Sequence, residues 1–357
     1  MLHQPFKDLK IVELSSVLAG PAVGMFFAEL GAEVIKIENK STNGDVTRNW
    51  KLPSEQNSDT SAYYKSVNWG KQSMMLDLSD PKDNALVLEM ITQADIVLAN
   101  FKRGSAKNFG LDYESINAIQ PTIIYANLTA YGEQSDGVGF DVLLQAETGF
   151  LYMNGEADGP PVKMPVALID LLAAHQLKEA ILIALIDRYQ NNRSSFISVS
   201  LAKSAVASLA NQAANYLNEG FIPQRMGSQH PNICPYGDIF ETQDGKAILL
   251  AVGTEQHFQV LCKILQLPEL AIHPKFATNA NRVVHRKEMI VLLQNAFKNF
   301  KQVDLLNQFT EQKVPAGVIN DMQAVFELPY AKEMILEDVV GNKCVKTIAF
   351  EIYPSEK

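Results

Sequence analysis

The sequence predicts an α/β protein with a parallel sheet, followed by a smaller α+β domain. Three observations carry that prediction. Strand and helix patterns alternate through the first 130 residues, a hairpin pattern followed by helices replaces them after residue 235, and the composition supports packed cores. Of 357 residues, 47% are hydrophobic and 20% charged, which is the balance of a folded chain and not of a disordered one. A single core becomes uncommon beyond roughly 250–300 residues, so two domains are expected.

The alternation begins with Leu9 to Leu14 as a strand, Pro21 to Leu30 as a helix that Pro21 opens and Gly31 closes, and Glu33 to Ile37 as a second strand. It continues with a helix over Pro81–Thr92, a strand over Asp95–Ala99, a short helix over Tyr113–Ile119 and a strand over Thr122–Asn127. Such alternation implies a sheet covered on both faces, with its ligand crevice at the carboxyl ends of the strands. A long apolar helix follows from Asp170 to about Tyr189, then a strand over Phe196–Leu201 and a helix to about Asn218. Gly220 to Pro235 holds three prolines and two glycines and reads as a linker or active-site loop. Gln243-Asp244-Gly245 then marks a hairpin between Asp238–Thr242 and Lys246–Val252, with helices over Glu255–Leu265, Asn281–Phe297 and Val303–Gln312. The expected organisation is residues 1–219 as the large domain, 220–235 as linker, 236–312 as the small domain and 313–357 as a segment returning to the large domain.

Lys and Arg total 31 against 40 Asp and Glu, a formal charge of −9. That balance argues against nucleic acid or an anionic membrane as partner. Cys234, Cys262 and Cys344 are too far apart for a disulfide framework or a zinc spacing, and no metal site is expected. Apolar runs fall far short of a membrane helix, and Lys7, Asp8 and Lys10 stand where a signal peptide needs apolar residues. A cytoplasmic protein is expected.

The first strand-to-helix turn carries Gly20 and Gly24 without the full G-x-G-x-x-G pattern, which argues against nicotinamide binding although Glu38 ends the next strand as a ribose-binding acid would. Close packing of helix on sheet explains both glycines equally well. Hydrolase signatures are missing, His175 falls inside an apolar helix, and His230 lies in the Pro/Gly loop. Carboxylates become the leading chemical groups. Asp170 is a lone charge between Val166-Ala167-Leu168-Ile169 and Leu171-Leu172-Ala173-Ala174. It fits two roles: an N-cap worth about 0.5–2 kcal/mol, or a desolvated carboxylate nucleophile for an activated carbonyl.

Taken together, Val17-Leu18-Ala19-Gly20-Pro21, Leu30 to Glu38 with Gly44-Asp45 and Arg48, Leu76-Asp77-Leu78, Ala94 to Val97 with Asn100-Phe101, Gly110 to Tyr113, Pro165 to Asp170, Asp244-Gly245 and Val314 to Gly317 carry a resemblance. In their order and spacing the chain resembles the family III CoA-transferases, also called the CaiB/BaiF family, from about Leu9 to Glu337. The resemblance implies a Rossmann-like large domain built from both chain ends, a smaller domain between, and an interlocked homodimer. It implies coenzyme A as substrate, with an acyl-CoA and a carboxylic acid acceptor as the reactants. Asp170 matches the family's nucleophilic aspartate, which forms an aspartyl-acyl anhydride and then an aspartyl-CoA thioester. Val17, Leu18, Ala19, Lys71, Asn100 and Phe101 match CoA-contacting positions, with Lys71 expected at a CoA phosphate, and Gln145 and His230 are expected near the substrate.

Two rivals stand beside transfer. The racemase branch of the family carries a histidine where this chain has Phe140, in Gly139-Phe140-Asp141, and phenylalanine moves no proton; racemisation would need Asp170 with Glu255. The other rival is a non-catalytic CoA-binding partner protein. Arg48 and Arg225 fit either a substrate carboxylate or a salt bridge between domains.

Overall fold

The computed structural model describes residues 4–353. The chain divides into two compact units, one of residues 1–150, 163–221 and 330–357 and the other of residues 151–162 and 222–329.

In the first unit six parallel strands form one sheet: β1 (Lys10–Leu14), β2 (Glu33–Asn39), β3 (Gln72–Leu76), β4 (Ile96–Ala99), β5 (Ile124–Thr129) and β6 (Ser195–Ser200). Their order is β3-β2-β1-β4-β5-β6. The chain winds outward from β1 to β3 and then resumes on the other side of β1, so the order reverses between β1 and β4. Connections after neighbouring strands there diverge to opposite faces and open a crevice at the carboxyl ends.

Alternation along each strand explains why both faces are apolar. Ile96 and Leu98 of β4 join the core beneath helix α1 (Ala19–Glu29) and the long helix Leu168–Asn191, with Val23, Phe27, Ile169, Ala173 and Ile181. Val97 and Ala99 point the other way, into a core with Val87, Ile91 and Ile116. Successive side chains leave a strand on opposite faces, so a central strand buried on both sides reads as an unbroken apolar run. The edge strand β3 has one buried residue in five, which is why periodicity in the sequence did not reveal it.

Gly20 and Gly24 of α1 are packing residues. A Cβ on Gly20 would strike the Ser15 hydroxyl, and one on Gly24 would strike the Glu13 carboxylate. Glu13 is held by two lysines and has no room to retreat. Gly24→Ala is therefore expected to destabilise the protein by about 2–3 kcal/mol, as overpacked cores do, read from the shift of the urea unfolding midpoint at unchanged slope.

Two expected helices are interrupted. The one after β6 divides into Leu201–Ala207 and Ala210–Glu219, because Ala210 adopts a left-handed φ of 46° that cannot continue a right-handed hydrogen-bond ladder. The second divides at His285 into Asn279–Val284 and Arg286–Phe297.

In the second unit β7 (Tyr236–Glu241) and β8 (Ala247–Ala251) pair antiparallel through the Asp-Gly turn, and β9 (Ala316–Val318) joins β8. Phe240 stacks on Phe297 with centroids 4.6 Å apart, in a core with Ile248, Leu250, Phe258 and Phe309. Pairing of β9 keeps the chain in this unit as far as Pro329, whereas the sequence reading starts the return at residue 313. Residues 220–235 also do not form a separate linker: from Ile222 onward they belong to this unit, with residues 151–162. Arg286 fastens them by donating to the His230 and Ile233 carbonyls at 2.5 and 2.9 Å.

The return segment is anchored to α1. The Thr347 amide and hydroxyl donate to Glu29 at 2.7 and 2.8 Å, and Ile348 enters the core under the sheet. Residues 354–357, the end of the expected return segment, lie outside the described residues. No helix among the described residues is long and apolar enough to cross a membrane.

Candidate active site

At the carboxyl ends of β1 to β4, on the side where the strand order reverses, lies a cleft of about 690 Å³ whose lining includes Ser15, Ser16, Leu78, Asn100, Phe101 and Lys102. Its floor is the β1–α1 loop. Asn100 clamps that loop reciprocally, accepting from the Ser16 amide at 3.3 Å and donating to the Ser16 carbonyl at 3.1 Å. Val17 follows with φ of 75°. A β-branched residue in the left-handed region costs on the order of 1–3 kcal/mol and persists only where surrounding structure imposes it. Leu18 then leads into α1 without a side-chain cap, and Ala19 is the buried first residue of the helix.

Lys71 does not reach the cleft as expected. Its ammonium is buried, 2.8 Å from Glu13 and donating to the Pro21 carbonyl at 2.8 Å and to Asn68 at 3.0 Å. Burial, partly offset by Glu13, pushes it down to about 8. Lys36 lies beside it, 2.9 Å from Glu13 and 3.1 Å from Asp45, and donates to the Ser15 carbonyl at 2.7 Å. Two lysines and two carboxylates thus neutralise one another inside the sheet. Glu38 is equally committed: Arg48 donates to it at 2.7 and 2.6 Å, Tyr64 at 2.7 Å, the Asp45 amide at 2.6 Å, and Ser73 completes the set. Burial works against its charge, yet these donors hold it at about 2. With its lone pairs taken, Glu38 has no capacity left for a ribose, and Arg48 is not a spare substrate ligand.

Asp170 sits in the first turn of the long helix, 9% exposed. It is not the N-cap. That position is Ala167, and the helix amide at Ile169 is instead satisfied by Asp141, a residue from another helix, at 2.7 Å. Gln145, expected near the substrate, is wholly buried; it donates to Asp141 at 2.6 Å and accepts from the Met164 amide at 2.8 Å. It is a strut that sets Asp141, and through Asp141 the helix start. Among the described residues no hydrogen bond or ion pair reaches the Asp170 carboxylate. Burial, and then the Asp141 charge, push it up to about 7. Tyr63 shares this field, its hydroxyl raised to about 12 by burial and by the charges of Asp170, Asp141 and Asp45.

A carboxylate with that pKa is desolvated, more basic than an ordinary aspartate, and still half ionised at neutral pH. Those properties suit attack on an activated carbonyl. Any reaction that uses the ionised form should rise with pH through about 7. Asp141→Asn removes the repulsive charge and leaves the burial, so the acid limb of kcat/KM is expected to move below 7 and to stay above the 3.8 of an unburied aspartate. A pH–rate series on both proteins reads this directly.

Other nominated residues have structural partners. His230 belongs to the second unit, where its ring meets Tyr236 at 5.4 Å and its Nδ1 accepts from the Asn232 amide. Glu255, also in that unit, pairs with the buried Arg282 at 2.6 Å. Arg225 donates to the Gly159 and Tyr152 carbonyls within its own unit. His175 lies on the exposed side of the long helix.

Comparison with known proteins decides the family. The family model for CoA-transferase family III matches residues 6–348. This chain belongs to that family. The transferase is 38% identical to the succinate–glutarate CoA-transferase of Agrobacterium fabrum, over 91% of this chain and 82% of that protein. It is equally 38% identical to the human succinyl-CoA:glutarate CoA-transferase, over 91% of this chain and 74% of that one. Among solved structures, a CaiB/BaiF family protein from Brucella suis superposes with a TM-score of 0.85 at 37% identity, covering 98% of this chain and 93% of its own. The transferase is thus an enzyme acting between an acyl-CoA thioester and a carboxylic acid.

Sequence reasoning gave no site role to Glu13, Lys36, Asp45, Tyr63 or Asp141, although Lys36, Asp45 and Asp141 stand in stretches it quoted. For the first two a signal was available. Each is flanked on both sides by apolar residues, in Ile11-Val12-Glu13-Leu14 and Val34-Ile35-Lys36-Ile37, a weaker form of the pattern that singled out Asp170, since Lys10, Glu33 and Glu38 stand close by.

Proposed function

We propose that this transferase moves CoA between two dicarboxylic acids through covalent intermediates on Asp170, in a homodimer. The observation that carries the reading is the Asp170 carboxylate itself, buried at a helix start and raised to about 7 beside Asp141. The carboxylate attacks the acyl-CoA carbonyl, its carbon–sulfur bond breaks, and an aspartyl-acyl anhydride and CoA thiolate result. The thiolate attacks the aspartyl carbonyl, releases the donor acid and leaves an aspartyl-CoA thioester. Attack by the acceptor carboxylate frees the thiolate again and forms a second anhydride, whose acyl carbon the thiolate takes, regenerating Asp170. A thioester is electrophilic enough for a carboxylate nucleophile when amide dipoles stabilise the oxyanion.

CoA occupies the cleft in this reading, with Ser16 and Asn100 fixing the loop, Phe101 offering an apolar face and Lys102 taking the phosphate role first assigned to Lys71. The dicarboxylate class follows from the succinate and glutarate in the relatives' names. A second copy would cover the apolar side chains exposed near Asp170, among them Val138, Phe140, Val166 and Leu171. The reading also places the enzyme in the cytoplasm, where three free cysteines persist.

Intact-protein mass spectrometry tests it. With succinyl-CoA and hydroxylamine, an adduct of about +15 Da on Asp170 is expected, the mass of a hydroxamate formed from an activated carboxyl, and glutarate should compete with its formation while acetate does not. CoA binding without any adduct from any acyl-CoA would sink the covalent route and favour the non-catalytic rival. Competition by acetate equal to glutarate would remove the dicarboxylate assignment.

A further inference from the structure

The β1–α1 loop is held at Ser15 and Ser16, which border the cleft, and at Val17, which follows them. Lys36 grips the Ser15 carbonyl at 2.7 Å, Asn100 grips both polar groups of the Ser16 backbone, and Asp45 accepts from the Val17 amide at 3.1 Å. Two of these grips are one device. The same Asp45 oxygen that receives the Val17 amide lies 3.1 Å from the Lys36 ammonium, so a single buried cation secures the chain before and after the turn. Asp45 is in turn fixed by the Thr47 amide and hydroxyl at 3.0 and 2.8 Å, and its own amide by Glu38 at 2.6 Å. Both border the cleft, yet Asp45 is only 4% exposed and Lys36 fully buried.

Against this stands the one residue in the loop that resists its conformation. Val17 has φ of 75°, where glycine rests without strain and a β-branched side chain does not. Without the grips, the loop would relax and withdraw Ser15 and Ser16 from the positions they hold in the cleft. We infer that Asp45 and Lys36 are positioning residues for substrate binding: the buried pair imposes the left-handed turn at Val17 and thereby shapes the CoA side of the cleft. The inference rests on the cleft being the CoA seat.

A double-mutant cycle tests it, read by the dissociation constant of CoA in titration calorimetry and by amide exchange over residues 15–19. Asp45→Ala is expected to weaken CoA binding roughly tenfold and to speed exchange in that segment. Adding Val17→Gly should then recover threefold or more of the affinity, because glycine enters the left-handed region without being forced. In the wild-type background Val17→Gly brings no gain in affinity. A device that merely stabilises the fold would not make the effect of Val17→Gly depend on the background in this way. If Asp45→Ala does not fold, the same cycle is run on Asp45→Asn, which keeps an acceptor for the Val17 amide and weakens the grip of Lys36. Independent effects that simply multiply, or an Asp45 variant that binds CoA as the wild type does, would overturn the inference. Wild-type protein that fails to bind CoA removes the seat and the inference together. CoA binding with the expected cycle but without acyl exchange counts against Asp170 chemistry alone.

Discussion

Asp170→Ala should lower the rate of CoA transfer by a factor on the order of 10³ or more, the scale on which enzymes lose activity when a nucleophile is removed, while CoA binding is retained. The split follows from the geometry: Asp170 is not among the residues lining the cleft that is proposed to seat CoA. Steady-state kinetics combined with CoA titration separates the two effects, and equal turnover in the variant would refute the mechanism. Asp170→Asn adds a stability signature. The unfolded aspartate gives up its proton near 3.8 and the folded one near 7, so between those values the unfolded state binds fewer protons and the wild type loses stability as pH rises. Asparagine has no such loss. At pH 8 the variant should therefore be more stable than the wild type by roughly 1–3 kcal/mol, and the advantage should shrink toward pH 4. Urea unfolding at the two pH values measures it.

Lys36→Met is expected to cost about 3–5 kcal/mol of stability, because it strands charge in the sheet interior. Lys36, Glu13 and Asp45 all have side chains at most 1% exposed, and breaking a buried pair leaves a carboxylate with neither water nor counter-ion. Lys71 remains beside Glu13, which keeps the loss finite. The exposed Lys287 supplies the contrast: Lys287→Met should stay within about 0.5 kcal/mol. The pH dependence has a definite sign. Burial works against the Glu13 charge, but Lys36 and Lys71 outweigh it and hold the carboxyl below its usual 4.5. That contribution is present above 4.5 and lost as pH falls through the folded value. Burial likewise opposes the Lys36 charge, and Glu13 and Asp45 outweigh it, holding the ammonium above 10.5, so its contribution is present below 10.5 and lost above the folded value. The gap between Lys36→Met and wild type should accordingly be widest between about pH 5 and 10 and narrow in acid.

Much of this was legible in particular stretches of the chain. Ile96 to Ala99 read as a central strand because four successive apolar residues serve two cores at once. The helix expected over Pro81–Thr92 has those bounds, and Asp80 before it accepts a first-turn amide. Asp170 stood out as a charge without local company, and it is indeed a carboxylate without a partner among the described residues. Its alternative role as a cap was equally legible and did not survive, since Asp141 performs that work from 28 positions away. Val17 lay beyond any local rule. Left-handed turns announce themselves through glycine or asparagine, and here a valine is driven into one by residues from another strand and another loop.

Most of the order of elements, the parallel sheet and the presence of an out-of-place carboxylate at Asp170 were set by periodicity and residue type, because these are properties of short windows of chain. Tertiary structure decided which charges remain available. Lys71, just before β3, and Lys36, inside β2, are by residue type equally free cations, yet one is bound to Glu13 and the other to Glu13 and Asp45, while Lys102 is left at the cleft. The energy of a charge depends on how far its partner is and how much water separates them, and both quantities come into being only when strands distant in sequence are laid side by side.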